Sequence, residues 1–511
     1  MLTEAPSRRL RRTQSADLLA LALLLLVCLA FYLPRLQGPI SVQDEGILLA
    51  YPDLILKGAL PYRDFAALYT PGSLYLVSLA FALFGESIVV ERAVGLLYWY
   101  AMAAVLYFIG RPVSRLTGWL SACAVVIGLV FFPPGAYAMI GALALALAAL
   151  LAAARSYSAQ DHAVRRGLAL LAGALASVVT WFRHDVGLLV TIALFCMFLT
   201  GPGFRLRHFI AGACLFAVPL LAYLSAAGFA SSFESLVLDV LRNGPGRRLP
   251  VEVSVSLLAL FALVALALAN AVVAWFRNFA DDEKVLLRGT VVLALGLMPS
   301  VLQRADGWHI IYVACPVLGL TVAGSAMVLR NINPRVGSLR LSLTGGLCMA
   351  LGLAALAVYS VLRVKDTVPV VSGERFIYLA RHAGVGELQA MVDEVNRIAR
   401  PGQRLFVGPN DLRYTNYNDS YLYFLLPRLA PATRYLEMNP GVANREGSGL
   451  AGQLASADLV ILNRSYDNWR EQNASSIAGS NAASRMMESR FCEHRSFGQW
   501  RILLRCAPRA G

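Results

Sequence analysis

Charge is what this 511-residue chain has least of: Asp, Glu, Lys and Arg make up 15% of it, against 58% hydrophobic residues. So low a polar fraction excludes a disordered chain or one soluble globular domain, and points to a polytopic membrane protein. The alternating segments of about ten residues that build a membrane β-barrel are missing. Six histidines and eight cysteines never fall in His-x-x-x-His or Cys-x-x-Cys spacing, so nothing supports a structural metal. We find no phosphate-cradling P-loop and expect no dinucleotide glycine site, so a soluble nucleotide-sugar site is not evident. Internal repeats and long low-complexity tracts do not stand out.

What the chain does have is apolar runs of roughly 16–24 residues, each long enough to cross a ~30 Å hydrocarbon core as a helix. They predict spans over 18–37, 91–110, 116–132, 136–154, 167–182, 186–201, 209–227, 253–276, 287–302, 308–329 and 341–362. The net charge of +14 lies mostly in the short connections between them. That is the distribution of topology-setting charge, and it argues against a nucleic-acid partner. Segment 71–84 is apolar but short, and the charges decide its place. Left out of the count, it puts residues 8–12, Arg111/Arg115, Arg155/Arg165/Arg166, Arg205/Arg207, Arg277/Lys284/Arg288 and Arg330/Arg335/Arg340 on one side. The other side keeps mainly Arg183, Arg304 and the trio Arg242, Arg247, Arg248. The positive-inside rule then gives eleven spans, with the amino end cytoplasmic and the carboxyl end outside. Segment 71–84 becomes a helix lying in or dipping into the interface. Residues 18–33, behind a basic stretch, resemble a signal peptide, but no small-x-small cleavage site follows, so an uncleaved first span is expected.

From about residue 363 the composition turns soluble. A helical signal at 384–399 alternates with strand-like runs at 404–407, 458–462 and 500–504. We therefore expect a membrane domain over 1–362 and, over 363–511, an extracytoplasmic α/β domain of about 140 residues, enough for a core. Phe491-Cys492 and residues 504–506 flank the Phe497-Gly498 turn and read as a terminal hairpin. Cys492 and Cys506 are the candidate cross-strand disulfide of an oxidising compartment; two free thiols packed in the hairpin are the alternative. Cys28, Cys123, Cys196, Cys214, Cys315 and Cys348 lie in apolar runs and read as small core residues. Three Asn-x-Ser sequons begin at Asn418, Asn463 and Asn473, a pattern that arises readily by chance.

The chemistry gathers after the first span. Asp44-Glu45-Gly46 puts two carboxylates at a bilayer edge, where desolvation makes them costly and hence candidates for function. On this topology Lys57, Arg63-Asp64, Tyr69, Arg92, Arg183-His184-Asp185 and Arg304-Ala305-Asp306-Gly307-Trp308-His309 share that face. A carboxylate there can take a proton from an acceptor hydroxyl, while Arg, Lys and His hold a phosphate leaving group. Asp44 is the candidate general base; a helix cap is its bland alternative. Successive helical residues point about 100° apart, so Glu45 faces elsewhere and would bind a cation, the acceptor or a sugar hydroxyl. Arg63-Asp64 also reads as a loop ion pair, and Lys57 and Tyr69 as interfacial anchors. Arg183-His184-Asp185 could be a capped helix end with a snorkelling arginine, and residues 304–309 a tight loop with an aromatic anchor. His309 is a weak metal-ligand candidate.

The order Asp44-Glu45-Gly46, amphipathic 47–57, Pro61-Tyr62-Arg63-Asp64, Tyr69-Thr70-Pro71-Gly72 and Leu83-Phe84-Gly85 leading to Arg92 resembles the GT-C glycosyltransferases. That superfamily includes protein O-mannosyltransferases, aminoarabinose transferases and related bacterial enzymes that use polyprenyl-phosphate sugars. The resemblance covers residues 15–200 best and does not extend to the tail, which is unlike the soluble domain of oligosaccharyltransferases. It implies a first external loop with an Asp/Glu motif and two juxtamembrane helices, matched here by 47–57 and 71–84. The catalytic acid falls on Asp44, with Glu45 beside it, and the arginine at the start of the second span falls on Arg92. By resemblance, then, the chain is an inverting hexosyl- or pentosyltransferase on the outer face of a bacterial plasma membrane. Its donor would be a polyprenyl-phosphate monosaccharide and its acceptor a cell-envelope glycan, lipid or protein. A divalent cation, used by some relatives, is the one cofactor this suggests. A transporter or flippase of lipid-linked glycans is the main alternative, but it would prefer ionisable groups near the bilayer midplane and discontinuous helices. A non-catalytic membrane subunit whose outer domain recruits partners is the third.

Overall fold

The computed structural model describes residues 6–200, 203–333, 339–362 and 366–507. Arg335 and the junction 363–365 between the two expected domains lie outside the described residues. Helix α1 (Pro6–Tyr32) ends in a 3-10 turn at Leu33–Arg35, followed by α2 (Asp44–Leu56), α3 (Gly72–Phe84) and α4 (Ile88–Gly110). Next come α5 (Arg115–Phe131), α6 (Ala138–Ser158), α7 (His162–Phe182), α8 (His184–Leu199) and α9 (Gly203–Ala226). A broken stretch follows, α10 (Phe229–Phe233), a π turn (Glu234–Leu238) and α11 (Asp239–Arg247). The chain then forms α12 (Val255–Phe276), α13 (Asp281–Gln303), α14 (Gly307–Ile332) and α15 (Leu339–Leu362).

Each predicted span coincides with a helix. Among the described residues eight helices, α1, α4, α6, α7, α9, α12, α13 and α14, are long and apolar enough to cross a bilayer. Helices α5 and α8 and the apolar stretch Met349–Ser360 of α15 are shorter. Several starts are set by short polar side chains that satisfy a free helix N–H. Ser87 accepts from Val90, Ser114 from Thr117 and Ser254 from Leu257. Helices α2 and α3 have 13 residues each. At 1.5 Å per residue they reach about 20 Å, too short to span, and they pack against each other beside α4. Helices α7 and α9 cross almost backbone to backbone. A Cβ on Gly173 would lie 2.0 Å from Phe209 O, and one on Gly212 1.9 Å from Leu170 O. Glycine at the crossing is what lets membrane helices come so close.

The basic connections meet at one end of the bundle. Arg111 pairs with Asp17 of α1 at 2.5 Å, Arg330 donates to Pro112 O, and Arg205 lies over the Tyr157 ring. Cys28 and Cys315 are buried, but Cys196 and Cys214 face outward, a correction to their expected core placement. Lipid is as apolar as a helix interface, so an apolar run alone does not tell the two faces apart.

The tail folds into a hairpin, β1 (Thr367–Ser372) with β2 (Arg375–Ala380), then α16 (Val385–Ile398), β3 (Arg404–Pro409) and α17 (Tyr421–Leu425). The remaining elements are β4 (Ala430–Pro431), α18 (Leu450–Ala455), β5 (Leu459–Asn463), α19 (Ala482–Arg490), β6 (Phe491–Phe497) and β7 (Trp500–Arg505). The sheet order is β4-β3-β5-β7-β6, parallel at β4-β3-β5 and antiparallel beyond. Alternate residues face opposite sides. Leu405, Val407, Ile461 and Ile502 join the core shared with the membrane helices, whereas Phe406, Val460, Leu462 and Leu503 form a second core with α18 and α19. Cys492 and Cys506 form a disulfide. Asn418 and Asn463 are buried and spend their amides on Leu436 O and Asp419, so neither sequon is available in the fold. One glycine pattern runs against expectation: residues 447–452 have the G-x-G-x-x-G spacing. They follow turns rather than a strand and open only the six-residue α18, so no strand-to-helix phosphate cradle forms.

The tail sits directly on the first external loop. Arg375 donates to Asp53 of α2 at 2.7 Å and to Phe424 O at 2.8 Å, and it also pairs with Glu86. Ile40 N reaches Tyr378 O, and Ala66 N reaches Arg434 O. Gly46 is where α17 comes closest, since a Cβ there would be 2.7 Å from Tyr421 N.

Candidate functional site: a two-lobed cavity at Asp44

At the end of the bundle away from the basic connections, a cavity of about 760 Å3 opens between the loops and the tail. Gln43, Asp44, Arg183, His184, Asp185, Arg247, Arg304, Asp306, Tyr417 and Glu437 are among its walls. A smaller lobe of about 200 Å3 shares Asp44, Tyr69, Arg183, Trp308, His309 and Glu437 with it. This lobe continues between apolar residues, including Leu48, Leu74, Phe132 and Met139. Asp44 thus stands where a larger space with many charged groups in its walls meets a smaller, mainly apolar one.

The first turn of α2 positions it. The helix starts at Asp44 itself, with Gln43 as N-cap, and two acids in the first turn suit the positive helix end. The Asp44 carboxylate accepts a long 3.4 Å bond from Ser41 Oγ and, among the described residues, no main-chain N–H. Capping therefore does not occupy it. Glu45 points the other way and is wholly buried. Arg92 donates Nε to Glu45 Oε1 at 2.5 Å and Nη2 to Oε2 at 2.9 Å, and Ser41 N donates to Oε2. Arg92 Nη1 spends itself on Leu36 O and Gly38 O. This clamp ties α4 to the turn that leads into α2.

Arg183, between α7 and α8, grips Asp185 with two bonds of 2.9 and 2.6 Å and covers the Tyr69 ring at 4.1 Å. Asp306 caps α14 by accepting from Trp308 N and His309 N, and also accepts from His309 Nδ1 at 2.8 Å. Arg304 gives Nε to Asp306 and both terminal nitrogens to Glu471 of the tail, at 3.1 and 2.7 Å. The structure thus brings Asp44, Tyr69, Arg183, His184, Asp185, Arg304, Asp306 and His309 to one cavity. It does not bring Lys57, Arg63, Glu45 or Arg92 there. Lys57 holds Asp53 and Pro427 O, and Arg63 holds Asp64 in an exposed pair.

Glu437, Asn243 and Asn439 also line the cavity, and none of them gave a sequence signal. Glu437 enters from an irregular stretch of the tail, about three-quarters of the chain away from Asp44. Burial pushes its carboxyl above the usual carboxylate range; the Asp44 charge adds to this, while Arg247 and Asn439 oppose it. Asn243 and Arg247 of α11 both donate to Asn439 Oδ1. Burial also acts upward on Glu471, but its bonds to Arg304 and Asn473 prevail and hold it low. Among the described residues no three His, Cys, Asp or Glu side chains converge as metal ligands. A divalent cation would have the carboxylates of Asp44 and Glu437 to meet in this cavity.

By sequence, no protein-family profile and no curated protein matches the chain. By structure it aligns with ArnT from Cupriavidus metallidurans bound to undecaprenyl phosphate, at 12% identity and TM-score 0.57, over 96% of this chain and 98% of that one. The apo state of the same ArnT aligns over 98% and 99%, with the same identity and score. Arabinosyltransferase EmbB from Mycobacterium smegmatis aligns at 14% identity and TM-score 0.40, over 91% of this chain and 45% of its own. The chain is a multi-pass membrane protein that shares its fold with ArnT.

Proposed function

We propose that this protein is an integral membrane glycosyltransferase that moves a hexosyl or pentosyl group from a polyprenyl-phosphate donor to a cell-envelope acceptor. The observation that carries the reading is the position of Asp44, lightly bonded and facing both lobes. A polyprenyl-phosphate sugar has the same two halves, an apolar chain and a charged head. ArnT, with the same fold, was crystallised with undecaprenyl phosphate. Asp44 takes the proton of the acceptor hydroxyl, whose oxygen attacks the anomeric carbon. The bond from that carbon to the phosphate oxygen breaks with inversion, and the electron pair leaves on the polyprenyl phosphate. Arg183, held flat over Tyr69 by Asp185, and Arg247 are the cations placed to meet that charge. Glu45 and Arg92 hold the turn that aims Asp44 and act as positioning residues. The basic loops at the far end of the bundle support a cytoplasmic amino end and a site on the outer face of a bacterial plasma membrane. A flippase would need ionisable groups along a path through the bundle, whereas the charged cavity groups gather at one end.

The test is transfer by the purified full-length protein, offered a panel of polyprenyl-phosphate monosaccharides with envelope lipids, glycans or peptides, and read by mass spectrometry. Asp44→Asn is expected to cut transfer by about a hundredfold or more while folded yield persists. Normal transfer by that variant removes Asp44 from the base role, and the absence of transfer from every donor overturns the reading.

A further inference from the structure

Gln43 is 2% exposed, yet neither its carbonyl oxygen nor its amide nitrogen has a hydrogen-bond partner in the protein. It occupies the N-cap of α2, where a side chain ordinarily accepts from a helix N–H, and it makes no such bond. The main chain around it is satisfied by other means: Glu45 N and Gly46 N donate to Ser41 O, and Ile47 N to Gln43 O. The carboxamide is therefore released from local duty. It lines the polar lobe immediately beside Asp44.

Buried amides without partners are destabilising and rare, so one that persists calls for an explanation. Its surroundings supply one. His184 Nδ1 and Asn243 Oδ1 in the polar lobe, and Thr70 Oγ1 and Tyr137 Oη in the smaller one, are also buried and unpartnered. On the other side of the same turn Glu45, Arg92 and Tyr32 are hydrogen-bonded, and Glu91 accepts from Ala136 N through one oxygen while its other has no partner. Of the unpaired groups, those that line the two lobes face a ligand held there.

We infer that Gln43 is a specificity-determining residue that reads two adjacent hydroxyls on the donor sugar, next to the carbon that reacts. A carboxamide offers an acceptor oxygen and a donor nitrogen side by side. A vicinal diol is its complement: one hydroxyl donates to Oε1 and the neighbouring oxygen accepts from Nε2. An ionised phosphate has only acceptors and leaves Oε1 unmatched, and a lipid chain offers neither donor nor acceptor. Gln43 and Asp44 line the same lobe, so Gln43 lies near the anomeric carbon that reacts there, and the diol is the pair of hydroxyls following that carbon in the ring.

This inference rests on the glycosyltransferase reading, and its test separates the two. Gln43→Leu, which keeps the volume and removes the unpaired amide, is expected to unfold at the same temperature as wild type or higher. With the parent donor its kcat/KM falls by about tenfold or more, whereas with donors lacking either hydroxyl it matches wild type. A lower unfolding temperature, or an equal loss on parent and deoxy donors, overturns the inference, because either outcome marks a structural role. Discrimination among deoxy acceptors rather than deoxy donors also overturns it. If no donor is transferred, the readout is protection of the full-length protein against thermal unfolding by short-chain prenyl-phosphoryl sugars. Protection of wild type that Gln43→Leu loses only when both hydroxyls are present upholds the diol site while the transfer reading fails. Equal protection of both proteins, or none, overturns the inference.

Discussion

Behind the first turn of α2 the strong polar groups are committed except for one oxygen of Glu91, and in front of it several are not. On the sealed side Arg92 holds Glu45 and two carbonyls, and Tyr32 bridges Arg92 O and Gly135 N. On the cavity side Gln43 is unpartnered and Asp44 has one long bond. Adjacent acids thus have opposite fates. A carboxylate locked in a buried bidentate pair cannot exchange protons with a substrate, but it can hold a turn in place. One with few bonds is available for chemistry, provided the sealed side keeps it aimed.

The largest effect comes from breaking the sealed side. Arg92→Leu leaves the Glu45 charge buried and unpaired, which costs about 3–5 kcal/mol and shows as lost folded yield and a lower unfolding temperature. Replacing Glu45 by Leu as well should recover much of that loss; no recovery would mean that Arg92 acts mainly through the 36–38 carbonyls. Breaking the cavity side gives the contrasting result. Asp44→Asn should cost about a hundredfold to ten-thousandfold in transfer at unchanged thermal stability, as measured by single-turnover product formation.

A smaller effect belongs to the bridge between the loops and the tail. Glu471→Gln removes the charge that Arg304 holds with two bonds, with an expected cost of about 1.5–3 kcal/mol in thermal unfolding. Because the folded Glu471 carboxyl sits below its usual range, its stabilisation is present at neutral pH. It fades as pH falls through that range, so wild type and variant should converge in acid. The smallest effect, of opposite sign, is at Glu437. Its folded carboxyl lies above the usual range, so the stability it lends is present in acid and lost as pH rises through the raised value. Glu437→Gln should unfold progressively later than wild type as pH increases toward neutrality.

Much of the frame was legible in the chain. A span, or a short interfacial helix such as 71–84, is a local property of apolar length and flanking charge, because a helix satisfies its own backbone wherever it lies. The terminal hairpin and three strands were legible for a similar reason, as alternation within a few residues. The two-residue β4 was too short for that signal, and β1 carries Pro369, a residue that weakens a strand pattern. Glu437 was invisible because it lies on an irregular stretch whose place depends on how the tail docks against α2. Lys57 and Arg63 share the right face by topology but turn to nearer partners.

The sequence by itself determined a helical membrane protein with a conspicuous pair of acids after its first span, since composition, run length and charge spacing are one-dimensional. It could say that Asp44 and Glu45 must point apart, but not which would face the cavity. Only the tertiary structure decided that. Arg92, a helix away, captures Glu45 in the interior, while the tail brings Glu437 over Asp44 and closes a cavity around it. Pairing is a matter of distance in space, and no local pattern encodes it.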